Sequence, residues 1–128
     1  MTPRELTEAM QGAPFTAAAL APDGVLALIF GPWMFTITGG WRILDEAAQM
    51  AGQGDADAAA RLAALRMGEL QGIQPLSKFD IAIRAAERWM IEIYALGATA
   101  ANTLVIAGPD DLRAVWTATG DLDIARAS

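Results

Sequence analysis

From Gly24 to Trp41 the chain runs GVLALIFGPWMFTITGGW, eighteen residues without a charge, bounded by Asp23 and Arg42. Within the run, Val25 to Phe30 and Met34 to Thr38 are two strand-length apolar segments joined by Gly31-Pro32-Trp33, which predicts a strand pair. As a membrane helix the run would rise about 27 Å against a hydrocarbon core of about 30 Å. It would also place Trp33 and Pro32 near the middle and Gly39-Gly40 at one end, a poor arrangement for a span. The strand pair is the better reading.

Elsewhere the spacing predicts helices. Thr2-Pro3-Arg4-Glu5 has the residues of a capping box with proline at the first helical position, so residues 1–11 form an N-terminal helix. Gly12 and Pro14 interrupt it, Phe15 to Ala21 adds a turn or two, and Pro22-Asp23-Gly24 is a turn signal. Trp41, Leu44, Ala48 and Ala51 fall on one helical face before Gly52-Gln53-Gly54. Asp55 caps a helix to about Gln71, and Gly72 to Leu76 connects it to another that opens at Ser77-Lys78-Phe79-Asp80.

That next segment, Ser77 to Leu96, reads as the central helix of the fold. Asp80, Arg84, Glu87, Arg88 and Glu92 form one narrow stripe of alternating charge, and the remainder is apolar or small. Its short connection to the preceding helix predicts a helical hairpin over 55–96. Gly97 stops it, and 98–102 is a joint of undefined type. Thr103 to Ala107 has the β-branched run of a buried strand, Gly108-Pro109-Asp110-Asp111 starts a last helix to about Thr117, and 121–128 is either a docked extension or a loose tail. The expected fold is a single α+β domain, helix-dominated, with a small sheet from 25–30, 34–38 and 103–107. Its alternative is all-α, with 24–41 buried or inserted in a membrane.

Composition sharpens this picture. The chain has 128 residues, enough for one core, yet it is 54% hydrophobic and only 19% charged, against about 45–50% and about 25% for an ordinary globular domain. An isolated monomer of this make-up has more apolar surface than it can readily cover, so the excess must meet other copies, a protein partner or lipid. Net charge is −6 with a pI near 4.4, which excludes a basic nucleic-acid footprint. Eight of nine cations are arginine, a bias that a GC-rich coding sequence would also produce. The first eleven residues carry Glu5 and Glu8 and lack the pattern of a secretory signal, so the expected location is the cytoplasm or a particle assembled there.

Absent residue types narrow the chemistry. Without histidine or cysteine the chain has no Ser-His-Asp or Cys-His nucleophile and no zinc site of the usual kind. Lys78 stands in a first helical turn, where a Schiff-base role would lack a depressed pKa. The carboxylate pairs Asp45-Glu46, Asp55/Asp57, Asp110-Asp111 and Asp121/Asp123 stand mostly at expected helix starts, where negative charge favours the helix dipole. Gly54-Asp55-Ala56-Asp57 and Gly120-Asp121-Leu122-Asp123 share a Gly-Asp-x-Asp pattern, but neither continues into a calcium loop. Gly52-Gln53-Gly54 lacks the third glycine of a dinucleotide fingerprint.

The sequence therefore points to no catalytic residue, cofactor or metal. It favours a non-enzymatic structural or assembly protein, a small acidic subunit that buries apolar surface in a homo-oligomer or on a protein partner, as adaptors, virion components, chaperones and inhibitors do. A membrane-associated accessory subunit anchored by 24–41 and a ligand-binding domain or carboxylate-based enzyme are the alternatives. The candidate anchors for core or interface are Trp33, Trp41, Trp89, Met90, Ile93, Tyr94 and Trp116.

Overall fold

Between Trp89 and Tyr94 every second side chain is buried: Trp89, Ile91 and Ile93 face inward, and Met90, Glu92 and Tyr94 do not. That is the period of a strand and not of a helix. The computed structural model describes residues 1–95 and 102–126, and most of them lie in strands. In chain order the elements are α1 (Pro3–Met10), β1 (Phe15–Leu20), β2 (Leu26–Phe30), β3 (Trp33–Ile37), β4 (Gly40–Asp45), β5 (Ala48–Gly52), α2 (Ala58–Ala63), β6 (Leu70–Pro75), β7 (Ile81–Ala85), β8 (Trp89–Tyr94), β9 (Asn102–Ala107), β10 (Leu112–Thr117) and β11 (Leu122–Arg126).

All pairings are antiparallel. One sheet has the order β1-β2-β3-β9-β10-β11 and the other β5-β4-β8-β7-β6. Their inner faces meet in one core. On the five-stranded side, register aligns Ile43, Ile91 and Ile83 in one row and Trp41, Ile93 and Ile81 in the next. On the six-stranded side the inward rows include Leu28, Phe35, Ile106 and Ala114, then Leu26, Ile37, Leu104 and Trp116. All fourteen of these side chains are buried. At about 25 cal/mol per Å² of apolar surface removed from water, each large one contributes about 1.5–3 kcal/mol.

The helices close the gaps between the layers. Thr2 and Glu5 make the capping box expected of α1, and its inner side buries Leu6 and Met10 completely. Thr7 Oγ1 reaches the backbone of Ile73 on the outermost strand β6, accepting from its N–H at 3.4 Å and donating to its carbonyl at 3.5 Å. These are long bonds, but they satisfy groups that an edge strand would otherwise present to solvent. The short α2 packs on β1 and β5, and Arg61 Nη1 donates to the carbonyl of Met50 at 3.3 Å.

The helix-dominated expectation is overturned. The segment read as a central helix, 77–96, is the β7–β8 hairpin, and the helical hairpin over 55–96 reduces to six residues of α2 followed by β6. Asp80, Arg84, Arg88 and Glu92 are four apart, and four residues return a side chain to the same side in a strand as well as in a helix. Those four positions therefore fit either period, and Glu87, the one stripe member at an odd spacing, falls in the turn between β7 and β8. The β-branched residues Ile81, Ile83, Ile91 and Ile93 decided the period. The helical readings of 15–21, 41–51 and 108–117 likewise give way to β1, the β4–β5 hairpin and β10, and the tail adds β11.

Segments 25–30, 34–38 and 103–107 correspond to β2, β3 and β9, which are neighbours, though as the middle of a six-stranded sheet. The all-α alternative with 24–41 inserted in a membrane fails with them. Among the described residues no helix is long and apolar enough to cross a membrane. The proposed stop at Gly97 and the joint over 98–101 lie outside the described residues.

Three turns explain why the hairpins escaped notice. Glu46-Ala47, Ala86-Glu87 and Asp110-Asp111 each place two consecutive residues at positive φ, between 48° and 73°. Positive φ at both centres is the requirement of a type I′ turn, usually met by Asn-Gly or Gly-Gly. Here no glycine marks it. A left-handed non-glycine residue costs about 1–2 kcal/mol, offset in part by the greater entropy that glycine would bring to the unfolded chain. Replacing Glu46→Asn together with Ala47→Gly should raise the free energy of unfolding by about 1 kcal/mol, read as a higher urea midpoint at unchanged slope. A lower midpoint would show that the β4–β5 turn is not held in this conformation.

Candidate interaction face

Register assigns the outward side chains of the six-stranded sheet to two rows. The first contains Ala17, Ile29, Met34, Ala107, Arg113 and Ala125, from β1 across to β11. The second contains Ala19, Ala27, Thr36, Val105, Val115 and Asp123. None of the twelve is buried, and Met34 is 43% exposed. From β1 through β9 the face has no charge, and its only two charged residues, Arg113 and Asp123, stand on β10 and β11.

The reason is visible strand by strand. An antiparallel sheet with one wet face ordinarily alternates apolar and polar residues, whereas a strand apolar at every position belongs to a sheet covered on both sides. LALIF in β2 is of the second kind; β9, NTLVIA, joins it from Leu104 to Ala107 after the polar Asn102 and Thr103, and β3, WMFTI, departs from it only at Thr36. Among the described residues they are covered once.

The other outer face shows the usual solution. On the five-stranded sheet Arg42, Glu92, Arg84 and Gln74 stand outward, with Leu44 and Ala82 buried beneath their stems. Arg42 pairs with Glu92, Arg84 Nη1 donates to Gln74 Oε1 at 3.1 Å, and Arg88 grips Asp45 with two bonds of 2.6 and 2.8 Å. Tyr94 donates its hydroxyl proton to Glu92. Partial burial and that bond to the Glu92 carboxylate push the Tyr94 phenol up to about 12. Burial acts to raise Glu92 as well, but hydrogen bonds from Arg42 and Tyr94, with the arginine charge, hold it below the ordinary carboxylate value.

The anchors named from the sequence divide between the core and this polar face. Trp33, Trp41, Trp89, Ile93 and Trp116 are inside, at 8% exposure or less. Trp33 lies against Gly108, where a Cβ would stand 2.5 Å from its ring, and Trp116 Nε1 donates to the carbonyl of Phe79 at 2.8 Å. Met90 and Tyr94 are half-buried on the five-stranded sheet. The residues that build the apolar face, Ile29, Met34, Val105 and Val115 foremost, are aliphatic and lie outside the set of anchors that the sequence points to, most of which are aromatic.

Concave features are modest. A cleft of about 380 Å³ is lined by Gly40, Trp41, Gln49, Gln53, Asp80 and Tyr94, among others, and the buried Trp41 Nε1 at its wall has no hydrogen-bond partner among the described residues. A groove of about 470 Å³ runs between α2 and the β4–β5 side, with Met50, Leu65 and Trp89 as apolar lining and Arg61 and Arg66 beside them. Both fall in the range that holds small ligands.

Three members of the carboxylate pairs are engaged locally. Asp55 accepts from the Gly52 N–H at 2.8 Å, Asp57 pairs with Arg61 at 2.8 Å, and Asp121 accepts from Thr119 at 3.1 Å. Lys78 lies over the Phe79 ring, 5.3 Å from its centre. Among the described residues no group of three or more carboxylates converges to hold a metal. Comparison with protein-family models, with curated proteins and with solved structures found no match.

Tyr94 is the sole tyrosine, so phenolate absorbance reads this residue alone. It should titrate near 12 instead of the ordinary 10.0. Because the folded value is the raised one, its contribution to stability is complete below pH 10 and is lost as pH rises toward 12. Glu92→Gln should lower the titration toward 10 without reaching it, since burial remains. A wild-type titration at 10 would mean that the Tyr94–Glu92 bond does not persist in solution.

Proposed function

We propose that this chain is a non-enzymatic assembly protein whose working part is the outer face of the six-stranded sheet. The observation that carries the reading is the continuous apolar character of β2 and of Leu104 to Ala107 in β9, with β3 between them, in a sheet that the described residues cover on one side only. Met34 is the exposed large apolar side chain on this face, while Met1, Met50, Leu76 and Phe79 are exposed elsewhere. Ten of the face's twelve positions carry no charge, and a patch of this kind, roughly several hundred Å², is a common mark of protein–protein contact.

A second reading, small-ligand binding in the Trp41 cleft, is supported by the unpaired indole N–H. A ligand offering an acceptor there would raise the melting temperature of the wild type and not of Trp41→Phe; equal shifts in the two proteins would remove that reading.

The assembly reading is tested on the face itself. Met34→Lys and Val105→Lys, singly and together, should abolish association measured by light scattering while changing the free energy of unfolding by no more than about 0.5–1 kcal/mol, as expected at exposed strand positions. A wild type that stays monomeric and soluble at all concentrations overturns it, as does association that these variants leave unchanged.

A further inference from the structure

The face just described has room for more than one kind of partner. Resting on that reading, we infer that its occupant is a second copy of this chain, packed sheet to sheet about a two-fold axis that runs parallel to the sheet and across its strands.

Size is the first argument. Six strands at about 4.8 Å spacing and five to six residues at about 3.3 Å rise give a face of roughly 500 Å², or about 1,000 Å² over two copies. That is the lower bound for a specific interface. Sheets stack face to face at about 10 Å when the side chains between them are apolar and of modest size, and here seven of the twelve are alanine or valine. An isologous contact requires a surface that complements itself. An uncharged face meets that requirement at every position where it has no charge.

The two charges select the axis. Arg113 belongs to the first row and Asp123 to the second, on adjacent strands, and among the described residues neither is ion-paired within the chain. A two-fold axis across the strands lays each strand over its own copy running the opposite way, and so exchanges the rows. Arg113 of one copy then arrives at the corner formed by Val115 and Asp123 of the other, and symmetry repeats the contact. Both ion pairs fall near the rim, where little desolvation opposes them. The other two-fold axis, along the strands, would put β10 and β11 of one copy over β1 and β2 of the other. Arg113 and Asp123 would then face alanine and isoleucine without a counter-charge.

The test is charge reversal in the full chain, followed by sedimentation. Arg113→Asp and Asp123→Arg should each raise the dimer dissociation constant about tenfold or more, and the double reversal should return it to within about threefold of wild type. Since the chain has no cysteine, Ala19→Cys gives a single site for a nitroxide on β1. The inferred axis brings the two labels onto facing strands, whereas the other axis separates them by about 24 Å, the width of the sheet. A dimer with distant labels, or one indifferent to both charge reversals, overturns the inferred geometry. A higher oligomer or a complex with a different protein, still abolished by Met34→Lys and Val105→Lys, overturns the second copy as occupant and leaves the assembly reading standing. Absence of any association, or association unaffected by those lysines, overturns both.

Discussion

A strand shows its side chains to two faces, and two stacked sheets have four, of which stacking covers two. Everything distinctive in this chain follows from how it treats the remaining two. The inner faces are filled by Ile43, Ile83 and Ile91 on one side and Leu28, Phe35 and Ile106 on the other, with Leu6 and Met10 of α1 also buried in that core. The five-stranded sheet turns arginine, glutamate and glutamine outward, and Leu44 and Ala82 on that face are buried. The six-stranded sheet turns out mostly small or apolar residues, with charge only at Arg113 and Asp123 among its described outward rows. One chain thus holds a conventional solvated sheet and a sheet built as though another layer lay over it.

The edges point the same way. Exposed strand edges are the usual liability of antiparallel sheets, and here the helices stand at three of the four: α1 over β6, and α2 against β1 and β5. Edge pairing is thereby obstructed at those strands, while among the described residues no helix packs against β2, β3 or β9. The helices also account for the poor showing of helical periodicity in the sequence. They are accessories of eight and six residues, placed where a strand edge needs a cover, and not the frame on which the sheet was expected to rest.

What could be read from the sequence followed from signals with a single meaning. Thr2, Pro3 and Glu5 specify a helix start because only an N-terminus uses that combination. The apolar runs at 25–30, 34–38 and 103–107 were too short for buried helices and rich enough in β-branched and aromatic residues to be strands. The rest was hidden by signals with two meanings. Asp80, Arg84, Arg88 and Glu92 satisfy both periods because four is a multiple of two and close to 3.6. Ala86-Glu87 turns a hairpin without a turn residue, so nothing between Ile83 and Trp89 announced a reversal. The apolar face lay in the same blind spot: a run such as LALIF states that both sides are covered, but not by what.

Coding bias offers a simpler account of the face than assembly does, and the residues distinguish the two. A GC-rich gene supplies alanine and arginine, and Ala17, Ala19, Ala27, Ala107 and Ala125 could have that origin. It does not supply Ile29 and Met34, which lie beside each other in register at the middle of the face. Nor does folding demand them, because strands of the five-stranded sheet carry Arg42, Arg84 and Glu92 at equivalent outward positions and pair normally. A sheet that can fold with charge on its outer side, and does so in one layer of this same molecule, has no internal reason to exclude charge from four adjacent strands of the other. The proposed contact outside the chain would account for that exclusion.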